Sequence, residues 1–183
     1  MKFDSQWMAE YLEGSPDVDE LAARLTACGL LVETREPSGG SEVWDVDVTT
    51  NRPDAMNHYG LAREAAVATG ALLRPLLAEL DESDEPVESL AAVEIADPER
   101  CSRFAARVIR GVRVVASPPW LAERLERCGV RPINAIVDAT NYVLLATGQP
   151  LHAYDLDRVR GRRLVARGAQ PGETLVTLDG ETR

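Results

Sequence analysis

An α+β fold is predicted for this 183-residue chain by two kinds of pattern. Apolar residues recur at helical spacing behind capping side chains, as Leu21, Ala22 and Leu25 do after Asp17. The run Val43-Trp-Asp-Val-Asp-Val48 instead alternates with period two, which suits a strand with one wetted face. With 45% hydrophobic residues in 20.0 kDa, the chain is excluded from wholesale disorder and has room for one large or two small domains.

Taken in order, Asp4 or Ser5 caps a first helix whose Trp7, Met8, Tyr11 and Leu12 form one apolar face, and Gly14 stops it. Asp17 caps the second helix, Glu20 makes a near capping box, and Gly29 marks the exit. Leu30 to Glu33 reads as a strand, joined through Pro37-Ser-Gly-Gly40 to the alternating run. In Asn51-Arg-Pro-Asp54, Asp54 is placed to cap a third helix, Ala55 to Thr69, with Leu61, Ala65 and Ala68 on one side and Gly70 as the stop. His58 and Arg63 read as solvated or interface side chains, because one His without a second ligand makes a poor metal site. The acidic stretch within 79–90 reads as a solvated linker between a domain at 1–78 and another at 91–183.

In the second half, Val93 to Ile95 and the Arg-rich run Phe104 to Val115 read as strands. Ser117-Pro118 opens a helix with Leu121 and Leu125 inward, Glu123 and Arg127 paired one turn apart, and Cys128-Gly129 at the end. Between Asn134 and Ala146 periodicity allows helix or buried strand; length decides for a helix capped by Asn134 and ended by Gly148. On it Val137, Thr140, Asn141 and Leu144 share a face, which turns a hydroxyl and an amide toward whatever the apolar residues cover. Asp138 is expected to be structural and paired with an Arg such as Arg131, and Asp155 to cap the next turn. Arg163 to Arg167 and Thr174 to Leu178 read as strands around Pro171-Gly172. The hairpin signal Asp179-Gly180 leaves three residues for a returning strand, so a piece of a longer protein, or a natural truncation, is expected.

The net charge of −10 excludes nucleic-acid binding through the overall field; any such contact must be local. The positive charge is almost all Arg and concentrates from Arg100 onward, so the second half is the part expected to meet an anion. Cys28, Cys101 and Cys128 lie too far apart for a disulfide framework and read as buried, reduced thiols. Trp7, Trp44 and Trp120 read as packing residues rather than base-stacking platforms, none being set in basic surroundings. With no signal-like apolar run at the amino terminus and no stretch near the ~20 apolar residues of a membrane span, a cytoplasmic location is expected.

Three strings bear a family resemblance: Leu21-Ala-Ala-Arg-Leu-Thr-Ala-Cys-Gly-Leu30; Val48-Thr-Thr-Asn-Arg-Pro-Asp54 with Gly60-Leu-Ala-Arg-Glu64; and Asn134 to Asp155, with its Thr-Asn-Tyr and Gln-Pro-Leu-His-Ala-Tyr-Asp. In this order they resemble the amino-terminal part of the bacterial phenylalanyl-tRNA synthetase β subunit. The resemblance implies an α2β2 ligase that uses ATP and magnesium at an α-subunit site. It implies the α subunit and tRNA as partners, neither DNA nor membrane, and no metal or cofactor held by this chain. It assigns 1–78 to a B1-like domain and 91–183 to the first part of a B3/B4 domain that hydrolyses tyrosyl-tRNA. Where the family carries about a hundred residues of OB-fold, a turn of ~10 residues stands between Val32 and Val43, and Ala135 replaces a frequent Asn.

By the same resemblance, Thr140 and Asn141 shape an editing pocket, and His152 stands near the tRNA 3′ end and the ester. The latter half of B3/B4 lies outside this sequence, so the chain alone is expected to be inactive in synthesis and in editing. An alternative stays open: a stand-alone truncated relative that binds a protein or an amino acid without catalysis.

Overall fold

A computed structural model describes every residue of the chain except Ser15 and Leu178. The architecture is α+β, with one three-stranded antiparallel sheet and one two-stranded parallel sheet. Packing divides it into two compact units, the first made of Met1–Leu80 and Arg113–Ala153, the second of Asp81–Val112 and Tyr154–Arg183. This division cuts across the segmentation at 78 and 91. The physical reason is burial: Leu121, Leu125, Leu145 and Ala146 pack with Trp7, so the helices that carry them stand with the amino-terminal segment.

In the first unit a short strand unforeseen from sequence, β1 (Lys2–Asp4), leads into helix α1 (Ser5–Ala9). The Asp4 carboxylate caps α1, accepting from the amides of Gln6 at 3.0 Å and Trp7 at 3.1 Å. Helix α2 (Val18–Ala27) is capped by Asp17, which accepts from the Asp19 and Glu20 amides, and buries Leu21, Ala22 and Leu25 as its spacing predicts. Strands β2 (Leu31–Ser38) and β3 (Ser41–Asp47) form a hairpin whose sheet order is β1-β3-β2. Strand β2 runs five residues past the expected Glu33, because its register with β3 continues to Ser38 beyond a bulge between Val32 and Thr34.

Helix α3 (His58–Thr69) starts later than expected. Its cap is Asn57, whose side chain accepts from the Gly60 amide at 2.7 Å; Pro53–Ala55 instead form a 3-10 turn, and Asp54 pairs with Arg52 and Arg63. Gly70 ends the helix at φ +76°, a left-handed conformation that glycine adopts without steric cost. Helices α4 (Pro119–Arg127) and α5 (Ala135–Thr147) follow; Leu121 and Leu125 face inward, Glu123 meets Arg127 at 3.8 Å, Asn134 caps α5 and Gly148 ends it.

In the second unit, β4 (Ala92–Ile95) and β5 (Arg163–Ala166) pair in parallel. Among the described residues no apolar side chain here falls in the buried class, and Ile109, Val112, Leu175 and Val176 are exposed. The expected strand from Phe104 to Val115 does not form: β4 takes β5 as its partner, and the alternating run joins neither strand in a ladder. Near the end, Leu175 and Arg183 exchange both backbone bonds, at 2.8 and 2.9 Å, and Val176 bridges Thr182. Glu181 to Arg183 thus supply the returning pairing after the Asp179-Gly180 turn; Leu178, at the end of the expected strand, lies outside the described residues. Asp155 caps a 3-10 turn at Leu156–Arg158, as expected.

Among the described residues no helix is long and apolar enough to cross a membrane. The three cysteines are free, but Cys28 is exposed and Cys101 and Cys128 are half-buried, so the expectation of buried thiols fails at each. Cys28 sits at the end of α2, outside the face that packs.

Candidate editing face on α5

The side chains that fix α5 in place are buried around it. Asp138 is fully buried, accepts from the Ile133 amide at 2.9 Å, and takes the Ser117 hydroxyl as its second donor. Its expected partner, Arg131, is exposed; a carboxylate placed between a helix start and the preceding loop is satisfied by neutral donors instead. Asp138→Ala leaves the Ile133 amide without its acceptor and is expected to lower stability by about 2 kcal/mol, read as a drop in the urea midpoint at unchanged slope.

Asp138, Leu145 and Ala146 make the buried stripe of α5, with Tyr142 half-buried against it. Val137, Thr140 and Asn141 are half-buried and Leu144 is 42% exposed, so this face lies beside the packed stripe, not within it. The Thr140 hydroxyl donates to the Val137 carbonyl at 2.6 Å, leaving its lone pairs as the group it can offer a ligand. His152 is exposed in the irregular segment beyond Gly148. Thr140, Asn141 and His152 line neither of two surface depressions. One, of about 660 Å³, is bounded by residues including Ser5, Glu10, Ser41 and Arg74; the other, of about 450 Å³, by Val165, Arg167, Glu173 and neighbours. Among the described residues no group of three His, Cys, Asp or Glu could hold a metal ion.

The other end of α5 is held by a residue that reads from sequence as a solvated or interface side chain. His58 is fully buried; its Nε2 accepts from the Asp4 amide at 3.0 Å, and its Nδ1 lies 2.9 Å from the Leu145 carbonyl. An amide only donates and a carbonyl only accepts, so the ring is neutral with its proton on Nδ1. Burial lowers its pKa to about 4, against a smaller raising effect of the Leu145 bond. Trp7 stacks on it at 3.9 Å and Tyr142 stacks on Trp7 at 4.7 Å. The missed signal is the spacing 58, 61, 62, 65, which puts His58 on the same helical face as buried Leu61, Ala62 and Ala65.

Charges around this cluster are paired. Burial acts to raise the pKa of Asp4, but hydrogen bonds from Ser41 at 2.6 Å and Arg127 at 2.9 Å outweigh it and hold the carboxyl below its ordinary value. The Cys128 thiol lies 3.7 Å from His58 Nε2, and burial pushes it up to about 12, which leaves it inert as a nucleophile. Arg124 sits 5.3 Å from the Trp7 ring centre and 5.9 Å from that of Trp120, so both rings do have a cation beside them. Trp7 and Trp44 are core residues as expected, whereas Trp120 is 54% exposed and meets Tyr142 only edge-on.

Comparison with known proteins puts these residues in a family context. Residues 100–183 match the B3/4 domain. The chain is 52% identical over 139 residues to the phenylalanine–tRNA ligase beta subunit of Anaeromyxobacter dehalogenans, covering 76% of this chain and 17% of that protein. It is 42% identical over 174 residues to the same subunit from Rhodopirellula baltica, covering 95% and 26%. For Moorella thermoacetica the identity is 47% over 139 residues, covering 75% and 17%. The chain spans between about a sixth and a quarter of the length of these relatives. Over most of its own length the chain is thus similar to part of the phenylalanine–tRNA ligase β subunit, and its residues 100–183 match the B3/4 domain.

Proposed function

We propose that the chain acts as part of a phenylalanine–tRNA ligase β subunit, contributing one wall of a site that hydrolyses tyrosyl-tRNA. The observation that carries this reading is the homology to named β subunits together with the B3/4 match across α5 and His152. The whole ligase would work with its α subunit, tRNA, ATP and magnesium; no residue of this chain is assigned to ATP or the metal.

In this reading the α5 face supplies discrimination. A pocket that hydrogen-bonds the phenolic hydroxyl of tyrosine rejects phenylalanine, because the analogue leaves a buried polar group unpaired. Thr140 and Asn141 shape the pocket, and His152 orients the 3′-terminal adenosine or the attacking water. By itself the chain is expected to bind without catalysis.

Two measurements test this. Incubated with tyrosyl-tRNA, the isolated chain is expected to release tyrosine only at the background rate; release above background that disappears in His152→Ala overturns the prediction of inactivity. Titration with a non-hydrolysable 3′-tyrosyl-adenosine analogue is expected to shift the NMR signals of Thr140, Asn141 and His152. Shifts confined to other residues overturn the site assignment.

A further inference from the structure

The second unit contains two irregular segments of opposite charge in matched register. Glu82 meets Arg107 at 2.5 Å and Glu85 meets Arg110 at 2.6 Å. Both pairs are separated by the same 25 positions, so Glu82 and Glu85 repeat the three-residue step of Arg107 and Arg110 and the segments run alongside in the same direction. A linker that merely avoids the fold has no reason to keep such a register. The side chains in both pairs are 40–65% exposed, which makes each contact weak and exchangeable.

Charge counting gives the register a meaning. The second unit holds ten arginines and thirteen carboxylates, five of which lie in residues 81–88. Without that arm arginine is in excess, and Arg107 and Arg110, the two that the arm engages, follow Arg103 within eight residues of a segment free of helix or strand. Guanidinium groups bind phosphate through two parallel N–H bonds, and Phe104, 37% exposed within the strip, offers a face on which a base can stack.

We propose that Arg103, Arg107 and Arg110 form a binding strip for the phosphate backbone of single-stranded RNA, and that the acidic arm at residues 81–88 occupies it as an internal competitor. RNA entering the strip exchanges the Glu82 and Glu85 carboxylates for phosphates, so affinity depends on how readily the arm leaves. The choice of RNA over an acidic protein rests on the ligase reading above. The strip shares no residue with the α5 face, and its test uses RNA without an aminoacyl ester, so the two readings can fail independently.

The probe is a fluorescently labelled twelve-nucleotide oligouridylate, titrated by anisotropy with the 183-residue chain at several salt concentrations. Glu82→Gln with Glu85→Gln is expected to bind about tenfold more tightly than the parent chain, from release of two exposed pairs. Arg107→Gln with Arg110→Gln is expected to weaken binding and lower the salt slope by about 1.4, which is two phosphate contacts on a single strand. Glu33→Gln with Glu36→Gln makes the same change in net charge on exposed positions of β2 and is expected to have a much smaller effect. The proposal is overturned if the two Glu-to-Gln pairs tighten binding equally, if neutralising the arm changes nothing, or if polyglutamate binds the arm-neutralised chain as well as oligouridylate does.

Discussion

Replacing His58 by alanine is expected to lower the unfolding free energy of the first unit by about 4 kcal/mol, the largest effect of any single substitution considered. The change removes a ring stacked against Trp7 and in edge contact with Phe3. It also strips the Asp4 amide of its acceptor and the Leu145 carbonyl of its donor inside the core. His58→Phe separates these contributions: it refills most of the volume but restores neither bond, and about 2 kcal/mol of the loss should persist. Urea unfolding of the three proteins at pH 7 measures this, and a His58→Ala midpoint within error of the parent would mean that the buried ring is not a keystone.

The same residue sets a pH dependence. His58 has a folded pKa of about 4 against an ordinary value of 6.5, so the unfolded chain takes up a proton more readily than the folded one. Stability is therefore full above pH 6.5 and falls as the pH drops toward 4, by roughly 3 kcal/mol across the window. Asp4, held below its ordinary value, titrates beneath this range. The difference between the parent and His58→Phe isolates the His58 contribution from that of the other carboxylates. It should fall steadily between pH 6.5 and 4, pass through zero at about pH 5 and favour His58→Phe at the acid end, whereas a constant difference would show that the folded His58 titrates like the unfolded one.

Gly60→Ala is the second large effect, expected at about 3 kcal/mol. A Cβ on Gly60 would stand 1.9 Å from the Asp54 carbonyl oxygen and 3.0 Å from the Asn57 amide nitrogen. The first of these is backbone, so the whole turn before α3 must move and the Asn57 cap on the Gly60 amide moves with it. Gly70→Ala provides the scale: φ is +76° with open space around the position, and only the left-handed strain is paid, about 1 kcal/mol. Thermal or urea unfolding should rank Gly60→Ala well below Gly70→Ala in stability. The reverse order would show that the Asn51–Asp54 turn yields easily.

Much of the fold was legible because its causes are local. The capping carboxylate of Asp17, the Asn134 cap, the glycines at 70 and 148 and the inward spacing of Leu121 and Leu125 act within one or two helical turns. The β2–β3 hairpin was readable for the same reason, since alternation and a tight turn are properties of adjacent residues. The family strings also belong to sequence alone, and they brought Thr140, Asn141 and His152 forward as candidates before any geometry was known.

Sequence by itself thus determined the α+β class, most helix limits and the homology to a β-subunit segment. Tertiary structure decided whatever depends on partners remote in the chain. It put His58 under Trp7 and Leu145, gave Asp138 to Ser117 and Ile133, moved the α3 cap to Asn57, and left Phe104 to Val115 without a strand to pair with. The physical reason is common to all four. A buried polar group or a strand is stable only against a specific partner, and periodicity reports which face a side chain occupies but not what lies opposite.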